Sequence, residues 1–247
     1  MGLSAERILS RLDEHLHKND YASAERHLLY WLSEARAEDD KRATLTIANE
    51  LMGLYRKLGE RENALEFVSL ALSIIDELNI DTLVSTGTIF VNCATVYKAF
   101  GMPEKSLPIF EMAKAVYERE LPKDSALFGG LYNNMALCLV DLGRYSEAYE
   151  LYDKAITVTG KNKKYLETAI THLNVASAKE TELGIEKADA EIENCLSLAK
   201  ELLDLNKATD GNYAFVCEKC ASVFGYYGHF SYENELKERA RRIYEGA

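Results

Sequence analysis

Two cysteines in the sequence have the spacing of metal-binding and redox sites. Cys217 and Cys220 form a C-x-x-C motif, and on a helix this spacing places both sulfur atoms on one face. A closed zinc site needs about four ligands, but the sequence contains no second C-x-x-C motif. His229 could be a third ligand, and no fourth is evident. We therefore interpret both cysteines as packing residues and expect no metal.

The histidines and glycines give little support for catalysis. His15 and His17 are two residues apart, so they point to different sides of a helix, and they lack the His-Glu-x-x-His arrangement of zinc proteases. The sequence pairs no Ser or Cys nucleophile with His172. The glycines at positions 129 and 130 lack the preceding strand and the Lys-Ser/Thr ending of a phosphate-binding loop. The sequence predicts no enzymatic activity and no cofactor.

A complete helix-turn-helix unit covers residues 131–157. Its first half carries Leu131, Met135 and Leu139 at the spacing of a helix with one buried face. Gly143 follows where a helix needs a left-handed terminating residue, and glycine reaches positive φ without a Cβ clash. A second helical stripe of apolar residues comes after the glycine. The sequence therefore predicts two antiparallel helices joined by a short turn.

The same turn recurs along the chain at intervals of 41 to 44 residues, and Asn19 fills the equivalent position 40 residues before the first turn glycine. The turn glycines are Gly59, Gly101, Gly143, Gly184 and Gly228. Small residues recur seven positions before the glycine and twelve after it, which predicts close contacts between helices. They are Ala94, Ala136, Ser177 and Ala221 before it, and Ala71, Ala113, Ala155 and Ala240 after it. This periodicity indicates an internal repeat.

At this point the chain resembles the tetratricopeptide repeat. The standard repeat has about 34 residues, and the longer interval with the phrase YNNMALCLVDLGRYSEAYELYDKAI is similar to the repeats of kinesin light chains. The resemblance implies an all-α fold, a right-handed superhelix of about six helical hairpins. In the fifth repeat, matching Ala188, Ile192 and Cys195 to the second helix requires a one-residue deletion. We predict one domain over residues 1–247, with repeats at about 4–35, 41–79, 82–121, 124–159, 164–205 and 210–245.

The resemblance also implies where a ligand binds. The first helices of such repeats line a concave groove, and the side chains ten and nine residues before the turn glycine point into it. Asparagine recurs at these positions, as Asn49, Asn92, Asn133, Asn134 and Asn174. An amide can pair with both the N–H and the C=O of an extended peptide without recognising its sequence. Alternatively, the amides hydrogen-bond between neighbouring helices and stabilise the stack.

Other side chains are expected along the same groove. Small or hydroxylated residues thirteen and six positions before the glycine, among them Thr88, Thr171 and Ala178, predict a wide polar channel. The rim is basic in the first half of the chain and acidic in the second half. Its residues are Arg56, Lys57 and Lys98, followed by Asp141, Glu182 and Glu218. This division could orient a peptide by charge, or the charges could belong to a solvated surface.

The composition narrows the class of partner. A formal charge of −11 over 247 residues argues against nucleic acid, which requires a basic stripe. No apolar run approaches the roughly 20 residues that span a bilayer, and the first residues carry charges where a signal peptide is apolar. Five cysteines scattered through predicted helices suggest reduced thiols in packing positions. We expect a cytoplasmic protein that contacts neither nucleic acid nor membrane.

Together these patterns predict a non-catalytic adaptor or scaffold that binds a protein or an extended peptide segment. One alternative is a receptor for a small signalling peptide, because bacterial receptors of this kind use similar long repeats. Another is a homodimer formed through aromatic residues of the last repeat, which could instead fill the terminal core. These aromatic residues are Tyr213, Phe215, Phe224, Tyr226 and Tyr227.

Overall fold

The computed structural model describes residues 5–246, which contain twelve α-helices arranged as six consecutive hairpins. The first six helices are α1 (Ala5–His17), α2 (Tyr21–Ala37), α3 (Lys41–Leu58), α4 (Arg61–Leu78), α5 (Val84–Ala99) and α6 (Pro103–Glu120). The last six are α7 (Leu127–Asp141), α8 (Tyr145–Lys161), α9 (Tyr165–Leu183), α10 (Ile185–Leu205), α11 (Gly211–Tyr226) and α12 (Phe230–Gly246). The predicted all-α fold of six hairpins is confirmed. None of these described helices is long and apolar enough to cross a membrane.

The chain divides into two compact units, Met1–Leu121 and Pro122–Ala247. The first unit contains α1 to α6, and the second contains α7 to α12, so each unit holds three hairpins. The repeat boundaries expected from the sequence agree with the hairpins to within a few residues, although the expected start at Ser4 lies outside the described residues. The assignment of all repeats to one domain stays a prediction.

The predicted turn residues adopt the backbone conformation that the spacing required. Gly59 ends α3 in the left-handed region, with φ of 77° and ψ of 14°, and Gly143 has φ of 71°. Asn19, which replaces glycine in the first hairpin, has φ of 53°. Most residues with a Cβ are sterically strained in this region, whereas glycine is not and asparagine or aspartate adopts it occasionally. The recurring glycines therefore encode the turns locally.

The turn at Gly184 is shorter than the others. Helix α9 ends at Leu183 and α10 begins at Ile185, so Gly184 is the single residue between them, and its ψ of 152° differs from that of Gly59. The one-residue deletion inferred from the sequence lies here. As predicted, the apolar residues that follow it are buried in α10, namely Ala188, Ile192 and Cys195.

Capping by aspartate explains the start of several helices, and one predicted cap is wrong. Asp20, Asp40 and Asp210 each accept a hydrogen bond from the backbone N–H three residues later, which begins α2, α3 and α11. A short oxygen side chain can accept from the exposed amides at a helix start, so the sequence predicts that Asp81 and Thr82 cap α5. Instead α5 begins at Val84, and its N-cap residue Leu83 makes no side-chain cap. Helix α6 begins at Pro103 and includes Pro108.

The small residues predicted at helix contacts are buried, with one exception. Those twelve positions after the turn glycine are at most 1% exposed, and so are Ala94, Ala136 and Ala221 before it. Ser177 is exposed, however, while the preceding Ala176 is 0% exposed. The prediction for Ser177 was wrong because the shorter turn at Gly184 moves the packed position of α9 by one residue.

We predict that Gly143→Ala destabilises the protein by about 1 kcal/mol, because a Cβ at positive φ is strained even though nothing lies within 4 Å of it. Gly130 is the matched control. It lies inside α7, and its Cβ would also meet nothing within 4 Å, so Gly130→Ala should stabilise by about 0.5 kcal/mol. Urea denaturation of both variants checks this. Equal effects of the two substitutions would contradict the proposed role of the turn.

Candidate functional site

Helices α3 and α5 bring Asn49 and Asn92 together in the first unit. The Asn92 Nδ2 donates to Asn49 Oδ1 at 2.9 Å, and the Asn49 Nδ2 donates to Glu50 Oε1 at 3.1 Å. All three side chains are half-buried. Burial raises the pKa of the Glu50 carboxyl, and the hydrogen bond from Asn49 opposes that rise. A chain of hydrogen bonds thus links α3 and α5, the first helices of the second and third hairpins.

Helices α7 and α9 repeat this arrangement in the second unit. The Asn174 Nδ2 donates to Asn133 Oδ1 at 2.9 Å, and the Asn133 Nδ2 donates to Asn134 Oδ1 at 3.4 Å. These side chains are half-buried as well. The order of donors and acceptors is the same in both units, with the later helix donating to the earlier one. We call each set of three residues an amide chain: Asn49, Glu50 and Asn92 in the first unit, and Asn133, Asn134 and Asn174 in the second.

The equivalence of the two amide chains depends on the short turn at Gly184. Asn92 lies nine residues before its turn glycine, whereas Asn174 lies ten residues before Gly184. Because that turn lacks one residue, position ten in α9 takes the place that position nine takes in α5. Alignment on the glycines alone could not find this equivalence.

Each amide retains hydrogen-bonding capacity after these bonds form. An asparagine side chain has two N–H donors and an acceptor oxygen with two lone pairs. The bond between Asn92 and Asn49 uses one donor of the first and one lone pair of the second. Hydrogen bonds between neighbouring helices, which the second role considered for these residues requires, are therefore present, and the remaining capacity lies at a half-exposed surface. Their role as ligand contacts stays a prediction.

The other predicted groove residues differ in exposure. Arg56 and Thr88 are exposed, with the Thr88 Oγ1 lying 2.9 Å from the Tyr117 hydroxyl, and Lys98 is half-buried. Thr171 is only 2% exposed, and its hydroxyl donates to the Glu167 carbonyl oxygen at 2.9 Å. Contact between Thr171 and a ligand would require neighbouring side chains of α9 to move. The displaced register of this helix accounts for that burial.

The predicted rim charges make contacts within their own units. In the first unit, the Lys57 ammonium lies 4.7 Å from the centre of the Tyr21 ring. In the second unit, Glu182 accepts a hydrogen bond from the Tyr149 hydroxyl at 2.7 Å, and Glu218 accepts one from the Tyr244 hydroxyl at 3.2 Å. These contacts fix the positions of the side chains, but the predicted orientation of a ligand by the rim stays a prediction.

Sequence reasoning missed a pocket between α9 and α11 in the second unit. It has a volume of about 580 Å³, and Asn174 of the amide chain is one of its lining residues. Glu180 accepts hydrogen bonds from the hydroxyls of Tyr226 at 2.6 Å and Tyr227 at 2.7 Å. The adjacent tyrosines were noticed in the sequence, but nothing there pairs them with a glutamate 46 residues earlier.

The aromatic residues of the last repeat are divided between the core and the surface. Tyr213 and Phe224 are buried, as the packing interpretation predicted. Phe215 is 44% exposed and Tyr226 is 67% exposed, whereas Tyr227 is half-buried. The cluster that was considered for a dimer interface is therefore not one continuous exposed surface.

The C-x-x-C cysteines lie in the hydrophobic core of the second unit. Cys217 is 0% exposed and Cys220 is 1% exposed, and all five cysteines of the chain are buried. Burial raises the pKa of the Cys220 thiol to about 12 and has the same effect on Cys93. Only the deprotonated thiolate binds a metal or acts as a nucleophile. The thiols of Cys220 and Cys93 are therefore poorly suited to either chemistry.

Comparison with known proteins identifies the repeat. Residues 131–164 match the family model described as tetratricopeptide repeat. These residues include Asn133, Asn134 and the turn at Gly143. No curated protein sequence matches the chain at a significant level.

Several solved structures share the fold. The apo form of RapI is 15% identical, with a TM-score of 0.67, over 98% of this chain and 85% of that one. A Rap protein complexed with Competence and Sporulation Factor is 16% identical, with a TM-score of 0.65, over 98% of this chain and 64% of that one. The repeats of a kinesin light chain from Podospora anserina are 17% identical, with a TM-score of 0.54, over 79% of this chain and 92% of that one. The resemblance to long tetratricopeptide repeats is confirmed, and at these identities it concerns the fold alone.

We predict that Asn133 and Asn174 are energetically coupled. In a double-mutant cycle with alanine at each position, the coupling energy should be roughly 0.5–1.5 kcal/mol. Either substitution alone already breaks the shared amide–amide hydrogen bond, so the second substitution cannot remove it again. Asn194 is an exposed residue of α10 and supplies the control cycle with Asn174, which should be additive. Urea denaturation measures both cycles. Additivity in the first cycle would show that the hydrogen bond contributes nothing to the stack.

Proposed function

We propose that this protein is a non-catalytic adaptor that binds an extended polypeptide segment on the face formed by the first helices of its repeats. In the second unit this face comprises α7, α9 and α11, and in the first unit it includes α3 and α5. Within a unit, the segment would lie against the amide chain of that unit and exchange backbone hydrogen bonds with it. Such contacts give affinity for the polypeptide backbone, and neighbouring pockets give selectivity for side chains.

The observation that supports this proposal best is the occurrence of the same amide chain in both units. Asparagine is a mediocre helix former, so its presence at equivalent positions of α3 and α7, and again of α5 and α9, needs a reason other than propensity. The hydrogen bonds of 2.9 Å between neighbouring helices are part of that reason. However, the half-buried amides keep donors and acceptors beyond those bonds, and these groups match the N–H and C=O of an extended chain.

Receptor activity for a small signalling molecule is a second candidate. The similar structure of a Rap protein was determined in complex with Competence and Sporulation Factor, and the matched region covers nearly all of this chain. The amide chain of the second unit and the pocket beside Asn174 would then hold a short ligand instead of a segment of a larger protein. Short peptides that raise the melting temperature as much as longer ones do would favour this candidate.

We predict that Asn133→Ala/Asn174→Ala reduces capture of peptides on an array by roughly tenfold, because two hydrogen bonds to the peptide backbone are worth about 1–3 kcal/mol. The loss should affect peptides of different sequence alike, since the amides contact the backbone. Asn194→Ala is the control and should leave capture unchanged. Thermal unfolding confirms that each variant is folded at the assay temperature. Unchanged capture by the folded double variant would refute the proposed role of the amides.

Self-association is tested separately. Phe215 and Tyr226 are the exposed members of the aromatic cluster, and a homodimer formed through them would bury both rings. If this interface forms, light scattering at two concentrations should show a mass that rises toward twice 27.8 kDa, and Phe215→Ser/Tyr226→Ser should abolish the rise. A constant monomer mass in the wild type would rule out the dimer at those concentrations.

A further inference from the structure

The pocket between α9 and α11 carries one charge. Of the described residues that line it, Glu180 is the only Asp, Glu, Lys, Arg or His; the remaining polar groups are one amide, three aliphatic hydroxyls and the two tyrosines. Two hydroxyls hold the Glu180 carboxylate, one from Tyr226 at the end of α11 and one from Tyr227, which follows the helix. A carboxylate offers about four lone-pair sites, so two of them remain for a ligand. The carboxylate is thus fixed in place and not fully satisfied.

The hydroxyl groups of the pocket also present acceptors. The Thr181 Oγ1 donates its proton to the Ser177 carbonyl oxygen at 2.8 Å, and the Ser222 Oγ donates to the Lys219 carbonyl oxygen at 3.0 Å. With their protons directed at the helix backbone, both oxygens have only lone pairs to offer to a molecule in the pocket. Together with Glu180, they favour a ligand that donates hydrogen bonds.

Helices α9 and α11 each carry one lysine, and its ammonium group lies over an aromatic ring that does not line the pocket. The Lys179 ammonium lies 4.1 Å from the centre of the Tyr149 ring, and the Lys219 ammonium lies 5.2 Å from that of Phe215. Neither lysine lines the pocket. In addition, Tyr226 is 67% exposed, and its ring offers an aromatic face to a cation.

We propose that this pocket binds the positively charged side chain of a lysine or arginine in the bound polypeptide segment. The inference rests on the proposed function, because Asn174 belongs both to the amide chain and to the pocket wall. The amides would hold the backbone of the segment while Glu180 selects a basic residue. An ammonium or guanidinium group supplies the donors that the carboxylate and the two hydroxyl oxygens accept.

The test uses an array of N-acetylated peptides of randomised sequence, in which one central position is Lys, Arg, norleucine or Glu. Wild-type protein should capture the Lys and Arg peptides roughly two- to fivefold more strongly than the norleucine peptides, as expected for a partly exposed ion pair. Added salt should reduce this preference.

Glu180→Gln keeps an acceptor for the tyrosines and should bring the ratio of capture to about one. Glu201 is an exposed residue of α10, and Glu201→Gln controls for net charge and should keep the preference.

The outcomes separate this inference from the proposed function. If Glu180→Gln keeps the preference for basic residues, or if the wild type has none, the inference is overturned while backbone binding stands. If the Asn133→Ala/Asn174→Ala variant captures all peptides normally, the role of the amides fails instead. No capture of any peptide by the wild type overturns both.

A further set of norleucine peptides with free N-termini tests the other source of an ammonium group. If these peptides show a preference that depends on Glu180 while the acetylated Lys and Arg peptides do not, the pocket binds a chain terminus and the inference fails.

Discussion

The position of each turn within its hairpin is the constraint on which the rest of this structure depends. An α-helix rotates by about 100° per residue, so a single residue added or removed at a turn changes which side chains of the helix meet the neighbouring helix. The alanines that are 0% exposed tolerate almost no such change, because an interior packed at crystal-like density has no space for a larger group. The turn glycines, held in the left-handed region, set this register. The surface that remains for a ligand follows from it.

The fold was predictable because its determinants are local. A glycine with positive φ and a helical apolar stripe are both visible in one sequence, and the intervals of 41 to 44 residues made the repeat evident. The burial of Cys217 and Cys220 agrees with their interpretation as packing residues. The start of α5 was placed wrongly because Asp81 and Thr82 resemble capping residues, yet the helix begins beyond them without a side-chain cap. Local capping preference is weaker than the packing that decides where a helix begins.

The candidate site was only partly predictable, and the reason is the turn at Gly184. The glycine itself was found, but its ψ of 152° and the single residue between α9 and α10 are not encoded in the spacing alone. Counting back from this glycine therefore misplaced Ser177 as a packing residue and Thr171 as a surface residue. The asparagines were found regardless, since positions nine and ten were both considered. The bonds between Glu180 and the tyrosines join residues 46 and 47 positions apart, and no local pattern predicts such a pair.

The two roles considered for the asparagines are compatible because of the chemistry of the amide group. A residue that served the stack alone would need at most one donor and one acceptor, and serine or threonine could supply both. An amide that bonds a neighbouring helix still has a donor and a lone pair available, and the first bond holds the side chain in one orientation. Less conformational entropy is then lost when a ligand binds. In the proposed function, a half-buried amide chain would therefore be both a contact between helices and a preorganised surface for a polypeptide backbone.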